Sequence, residues 1–224
     1  MRWIILGSFM IALASCGGRA PEPKQNDDLD GVRGFLKNAF ATSSDEKSGA
    51  IVGGGLCGDP MLVGEVVGAV PDKGACGVEN AVRLRQVGDV TLSQPATITC
   101  DTAKALRTWV ETGVKPAIGK TGGGVSSLRV AAHYACRTRN HQPGAKISEH
   151  GKGKAIDISA INLADGSSIT IQEGWRGKHS KKLRAMHKAA CGPFGTVLGP
   201  DSDRFHQDHF HFDTASYRSG SYCR

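Results

Sequence analysis

The sequence predicts an α+β domain, built as a small, mostly antiparallel sheet with helices packed on one side, and three observations carry that prediction. Two stretches show helical spacing: Leu106, Trp109 and Val110 in one, Leu183, Met186 and His187 in the other. Between them Leu128, Val130, Ala132 and Tyr134 alternate as in a half-buried strand. Six of the 7 cysteines lie beyond residue 55, an even set that suits a domain stapled by disulfides.

In chain order, Met1-Arg2-Trp3 is a short basic start, and Ile4 to Ala14 is an apolar run too short for a permanent membrane helix. Leu13-Ala14-Ser15-Cys16 resembles a bacterial lipobox, so residues 1–16 read as a lipoprotein signal peptide whose cleavage leaves a lipid on Cys16. Gly17 after it, rather than Asp, resembles the outer-membrane sorting pattern. The expected place is therefore the periplasm, with a lipid anchor in the outer membrane. Residues 17–55 carry Pro21-Glu22-Pro23, Asp27-Asp28 and Gly53-Gly54-Gly55 with little periodicity, and read as a flexible tether. Residues 56–224 are the right length for one domain with one core.

Within that domain the first helix runs from Cys100 to Thr112 and stops at Gly113, and Ser180 caps the second. Strands are expected from Ser127, from Ala155, over Ser168 to Ile171 after the Asp165-Gly166 turn, and from His209. With Cys16 lipidated, Cys57, Cys76, Cys100, Cys136, Cys191 and Cys223 remain, enough for three disulfides in an oxidising compartment. The expected set is Cys57 with Cys76, Cys191 with Cys223, and Cys100 with Cys136. A thiolate zinc site is disfavoured, because no paired C-x-x-C knuckles occur.

The formal net charge is +7, with six bases against six acids through Gly55 and the surplus, 22 bases against 15 acids, beyond it. An export signal excludes nucleic acid as the natural partner, whereas anionic wall polymers and lipid headgroups lie outside the cytoplasm. The basic run Arg176 to Arg184 reads as a solvated turn and helix start.

The chemistry concentrates in two places. Ser148-Glu149-His150-Gly151-Lys152-Gly153-Lys154-Ala155-Ile156-Asp157 holds a histidine and a carboxylate separated by a flexible turn and a strand start, and His209-Phe210-His211 follows near the C-terminus. A catalytic Zn2+ needs three nitrogen or oxygen ligands and one open position, which His150, Asp157 and His211 would supply. Alternation puts His209, His211 and Asp213 on one strand face and Phe210 and Phe212 on the other, toward the core. Asp213 reads as structural, and His133, His141, His179 and His187 as surface or structural histidines.

Ser148, His150, Gly153, Ala155 and Asp157 match the S-x-H-x-x-G-x-A-x-D signature of the zinc D-alanyl-D-alanine peptidases, a group that includes murein endopeptidases with a terminal H-x-H. From about Cys76 to Cys223 the chain more closely resembles the bacterial extensin-like C-terminal domain family. Cys76-Gly77-Val78, Thr99-Cys100, Tyr134-Ala135-Cys136-Arg137, Ala190-Cys191-Gly192-Pro193-Phe194-Gly195, Leu198-Gly199-Pro200 and Tyr222-Cys223-Arg224 carry that resemblance. With only 9 prolines and no Pro-rich repeat, nothing about the chain is physically like plant extensin. The resemblance implies a LAS-type, hedgehog-like zinc peptidase architecture.

Zinc lowers the pKa of a bound water from 15.7 to about 7, and a second group must then move protons. His209, on the His211 face, is expected to be that general acid or base. In the dipeptidase branch a Glu three residues before the last ligand does this work; here that position is Asp208, one methylene shorter. By resemblance to the H-x-H endopeptidases His206 helps bind or protonate substrate, and Arg137 resembles the arginine that steadies an oxyanion or a substrate carboxylate. The function so implied is a lipid-anchored zinc metallopeptidase acting on peptidoglycan stem peptides or cross-links. The alternative is a zinc-stabilised wall-binding module without turnover, a fate that the similar metal site of hedgehog signalling domains illustrates.

Overall fold

The computed structural model describes residues 54–217 and 219–224, so the lipobox with Cys16 and all of the tether before Gly54 lie outside the described residues. Nine strands form one sheet: β1 Leu62–Pro71, β2 Gly77–Val87, β3 Val90–Thr99, β4 Val125–Ala132, β5 Ala155–Leu163, β6 Ser168–Thr170, β7 Thr196–Leu198, β8 Phe210–Asp213 and β9 Tyr222–Cys223. They lie in the order β1-β2-β3-β4-β5-β8-β7-β9, with β6 paired to β5. Only the β3–β4 and β7–β9 pairs are parallel. The fold is thus α+β and mostly antiparallel, as expected, but the sheet is large rather than small.

The enlargement comes from β1, β2 and β3, which the periodicity argument passed over. Their signal is in the sequence. Arg83, Arg85 and Leu84 alternate exposed and buried along β2, and Gly88-Asp89 forms the two-residue turn that sets Val87 opposite Val90. Bulges in β1 near Gly64 and Gly68 break the same alternation there.

Helix α1 (Cys100–Trp109) begins where Thr99 accepts a hydrogen bond from the Thr102 N–H, and it buries Ala103, Leu106 and Trp109. It does not stop at Gly113. The backbone continues through a π-type turn over Val110–Val114 and a helical turn over Lys115–Ile118 before Gly119 ends it. Gly113 serves contact instead of termination: a Cβ there would stand 2.8 Å from the Ala189 side chain, so glycine lets helix α2 (Ser180–Ala190) approach closely. His179, not Ser180, is the N-terminal flanking residue of α2. Ile171 opens a short helical turn rather than closing β6.

Both helices pack on the face that carries Phe210 and Phe212. Trp109 meets Phe212 edge-on at 4.8 Å between ring centroids and donates its indole N–H to the Met186 carbonyl at 2.8 Å. Trp175 and Phe194 close the same layer around Phe210 and Phe212. Among the described residues no helix is long and apolar enough to cross a membrane.

Three disulfides link Cys57 to Cys100, Cys76 to Cys136 and Cys191 to Cys223. The last is as expected; the other two correct the expected pairs. The β1–β2 hairpin explains the difference, since it carries Cys76 to its far end, next to the Cys136 segment, and leaves Cys57 beside the start of α1 at Cys100. The Asp72–Tyr134 hydrogen bond of 2.6 Å ties the same hairpin end to the segment after β4.

Two outcomes are expected from this architecture. Non-reducing peptide mapping will recover these three pairs. Trp109→Ala, which empties a fully buried ring and removes the indole donor to the Met186 carbonyl, will lower unfolding free energy by about 3–5 kcal/mol in denaturant titration.

Candidate metal centre

The site begins with β5, a central strand whose Ile156 and Ile158 are fully buried among the core side chains, while Asp157 alternates to the opposite face. Strand β8 pairs with it so that His211 stands directly across from Asp157. His150 arrives from a turn over Glu149–Lys152, which Ser148 caps by accepting from the His150 N–H. Gly153 then reverses the chain into β5 at φ 65°, where any Cβ would also press within 2.8 Å of Val78. Its carbonyl accepts from the Thr99 N–H and the Thr102 hydroxyl, fastening the turn to the start of α1.

These three side chains converge. His150 Nε2 lies 3.2 Å from Asp157 Oδ1 and 3.1 Å from His211 Nδ1, and His211 Nδ1 lies 2.8 Å from Asp157 Oδ1. Three ligands about 2.0–2.1 Å from one zinc in tetrahedral directions stand about 3.3 Å apart, so the observed spacing fits a single small cation. The outward nitrogens are tied as well. His150 donates its Nδ1–H to the His133 carbonyl at 2.7 Å, and His211 Nε2 faces Asp213 Oδ2 at 3.3 Å. Second partners of this kind fix ring orientation and tautomer in metal-binding histidines.

Charge follows the same geometry. Burial favours a neutral Asp157, but hydrogen bonds from His150 and His211 outweigh it and hold the carboxyl well below the usual range. Burial likewise favours a neutral His211; Asp157 and then Asp213 oppose it and push the ring up to about 9. Asp213 also accepts from the Ala215 N–H, so it both orients a ring and shapes the chain after β8.

His209 lines the cleft with its Nε2 3.7 Å from Asp157 Oδ2. Asp208 stands behind it, its side chain 64% exposed and Oδ1 2.8 Å from His209 Nδ1. Asp208 thus meets the site only through His209. His206 is buried beside both His209 and His211, and its Nδ1 is held by Asp203 at 2.7 Å. Burial lowers its pKa, with Asp203 opposing only in part. Arg137 lines the same cleft, a cavity of about 470 Å³.

The sequence reading passed over three cleft residues. Glu149, 4% exposed, bonds to the Tyr217 hydroxyl and to Lys152 Nζ at 3.1 Å, and Arg139 is hydrogen-bonded to the same hydroxyl. Glu149 sat unremarked inside the signature; Tyr217 and Arg139 carry no motif, and only the fold brings them together. Of the basic run, Arg176 and Arg184 both pair with Asp201, and Lys182 reaches the Ala117 carbonyl.

The family model for the extensin-like protein C-terminus matches residues 62–224. The chain belongs to the extensin-like C-terminal family. The matched span holds every candidate ligand and cleft residue named above. No curated protein and no solved structure matches this extensin-like chain.

The metal-free extensin-like domain has a defined pH response. A raised His211 pKa contributes stability that is complete below 6.5 and fades as pH climbs through about 9, while the depressed Asp157 contributes above 3.8 and fails in acid. Proton NMR titration of the histidine rings will therefore show one ring titrating near 9, and Asp157→Asn will return it toward neutrality.

Proposed function

We propose that this extensin-like protein is a zinc metallopeptidase of the LAS type, anchored in the cell envelope through a lipid on Cys16, that cleaves an amide bond in peptidoglycan stem peptides or cross-links. The observation that carries the reading is the convergence of His150, Asp157 and His211, each ring tied from behind, beside a histidine–carboxylate pair in an open cleft. Bound there, zinc would supply Lewis-acid polarisation of the scissile carbonyl and a more acidic water.

The remaining work belongs to the protein. Asp208 takes the Nδ1–H of His209, which leaves Nε2 directed to the cleft as the base that accepts a proton from attacking water. The same nitrogen then returns it to the leaving amine. His206, kept neutral by burial and oriented by Asp203, adds a hydrogen-bonding group beside His209. Arg137 offers a fixed positive charge to the oxygen on which negative charge grows. The alternation of β8 is what lets one strand give its buried face to the core and its other face to this chemistry.

The decisive experiment combines zinc analysis with digestion of purified peptidoglycan by protein matured in an oxidising compartment. The chain will carry about one zinc and release peptide products seen by mass spectrometry. His150→Ala will lose the zinc, whereas His209→Ala will retain it and lose about 10²–10⁴-fold in rate, the range for a removed acid–base group. Zinc-loaded protein that releases nothing from any sacculus type would contradict the peptidoglycan peptidase reading and favour the binding module or a zinc enzyme with a non-murein substrate.

A further inference from the structure

One end of the cleft is built for charge that the ligand set does not use. The chain from Arg137 to Ser148 doubles back on itself, with Ser148 N–H on the Arg137 carbonyl, Arg139 N–H on the Lys146 carbonyl and Thr138 bridged to Ile147. At its bend Asn140 and His141 both adopt left-handed backbone angles, φ 51° and 56°, which fix the direction in which Arg139 leaves the turn. The Arg139 guanidinium is then held from one side only. Its Nη2 donates to the Tyr217 hydroxyl, its Cζ lies 5.2 Å from the Tyr217 ring centroid, and Glu149 Oε1 is 3.7 Å from Nη2.

That arrangement leaves Nε and Nη1 without partners among the described residues, on a side chain 47% exposed in the cleft wall. Arg137, in the same wall, has no ion-pair partner among them either. The acids at the other end are committed, Asp157 and Asp213 to His211 and Asp203 to His206. Glu149 already answers Lys152 as well as Arg139. The cleft wall therefore carries two guanidinium groups and one partly committed carboxylate, and the Nε–H and Nη1–H of Arg139, which point to different sides of the group, can each donate a charge-assisted hydrogen bond to an added carboxylate.

We propose that Arg139, positioned by Tyr217 and Glu149, is a specificity-determining residue that binds a free carboxylate of the substrate peptide, so the cleft takes anionic rather than amidated peptides. This rests on the reading of the cleft as a peptide site. Glu149 immediately precedes His150, so the carboxylate would lie beside the bond held at the metal centre. It can come from the C-terminal residue of a stem peptide or from a side chain within it.

The test is calorimetric binding to the full-length chain in a His209→Ala background, which blocks turnover. Three probes are used: a stem pentapeptide, the same peptide with a C-terminal amide, and the same peptide with its side-chain carboxylates amidated. One of the two amidated peptides is expected to bind about tenfold or more weakly, and that peptide names the source of the carboxylate. Arg139→Gln is expected to erase the difference, Arg139→Lys to restore part of it, and Tyr217→Phe to shrink it without altering thermal unfolding midpoint greatly. Equal binding of all three peptides, no binding of any, or a difference that survives Arg139→Gln would overturn the proposal. Hydrolysis by the wild-type chain is read separately: preference for the acid without released product retains this subsite and refutes cleavage of the free stem peptide.

Discussion

A buried carboxylate on the central strand is the constraint around which the rest of the domain is arranged. Asp157 is 4% exposed, on a strand whose neighbours in sequence face the core, so its charge must be answered from within. The β5–β8 register answers it with His211, and the turn before β5 answers it with His150. Neither partner is local in the folded sense: one comes from 54 residues downstream, the other requires a left-handed reversal at Gly153. Removing either imidazole would leave a buried charge short of a partner, which links the integrity of the fold to the integrity of the proposed metal site.

The supporting structure follows from that need. Phe210 and Phe212 anchor β8 on Trp109, Trp175 and Phe194, which fixes the height of His211 along the strand. Thr102 at the start of α1 bonds to the Gly153 carbonyl and to Thr214, so one hydroxyl secures the turn before Asp157 and the chain after Asp213. The Cys76–Cys136 bridge and the Asp72–Tyr134 bond fasten the β1–β2 hairpin to the segment that leads into Arg137 and Arg139. The N-terminal half of the sheet thereby braces one wall of the cleft.

How much of this was legible in sequence depended on whether the signal was periodic or spatial. The alternation of Phe210, His211 and Phe212 and the spacing of His150 from Asp157 named the ligand candidates that the structure brings together, because period-2 geometry is a local property of a strand. The roles of β1 to β3 were not legible because register shifts near Gly64 and Gly68 blur alternation in β1. Gly113 was misread as a stop since glycine signals both termination and close approach, and only the Ala189 contact distinguishes them. The pairings of Cys57 and Cys76 depend on a hairpin that carries Cys76 away from its sequence neighbour. Arg139, Glu149 and Tyr217 meet across 78 residues of chain, a juxtaposition no spacing rule encodes.

The proposed centre is most directly examined by zinc K-edge X-ray absorption on the purified, disulfide-bonded protein. His150, Asp157 and His211 predict a first shell of nitrogen and oxygen only, at about 2.0–2.2 Å, with the outer-shell pattern of two imidazoles. A sulfur scatterer near 2.3 Å would place the metal on cysteines instead, and would contradict both this ligand set and the three disulfides that leave no described thiol free to bind.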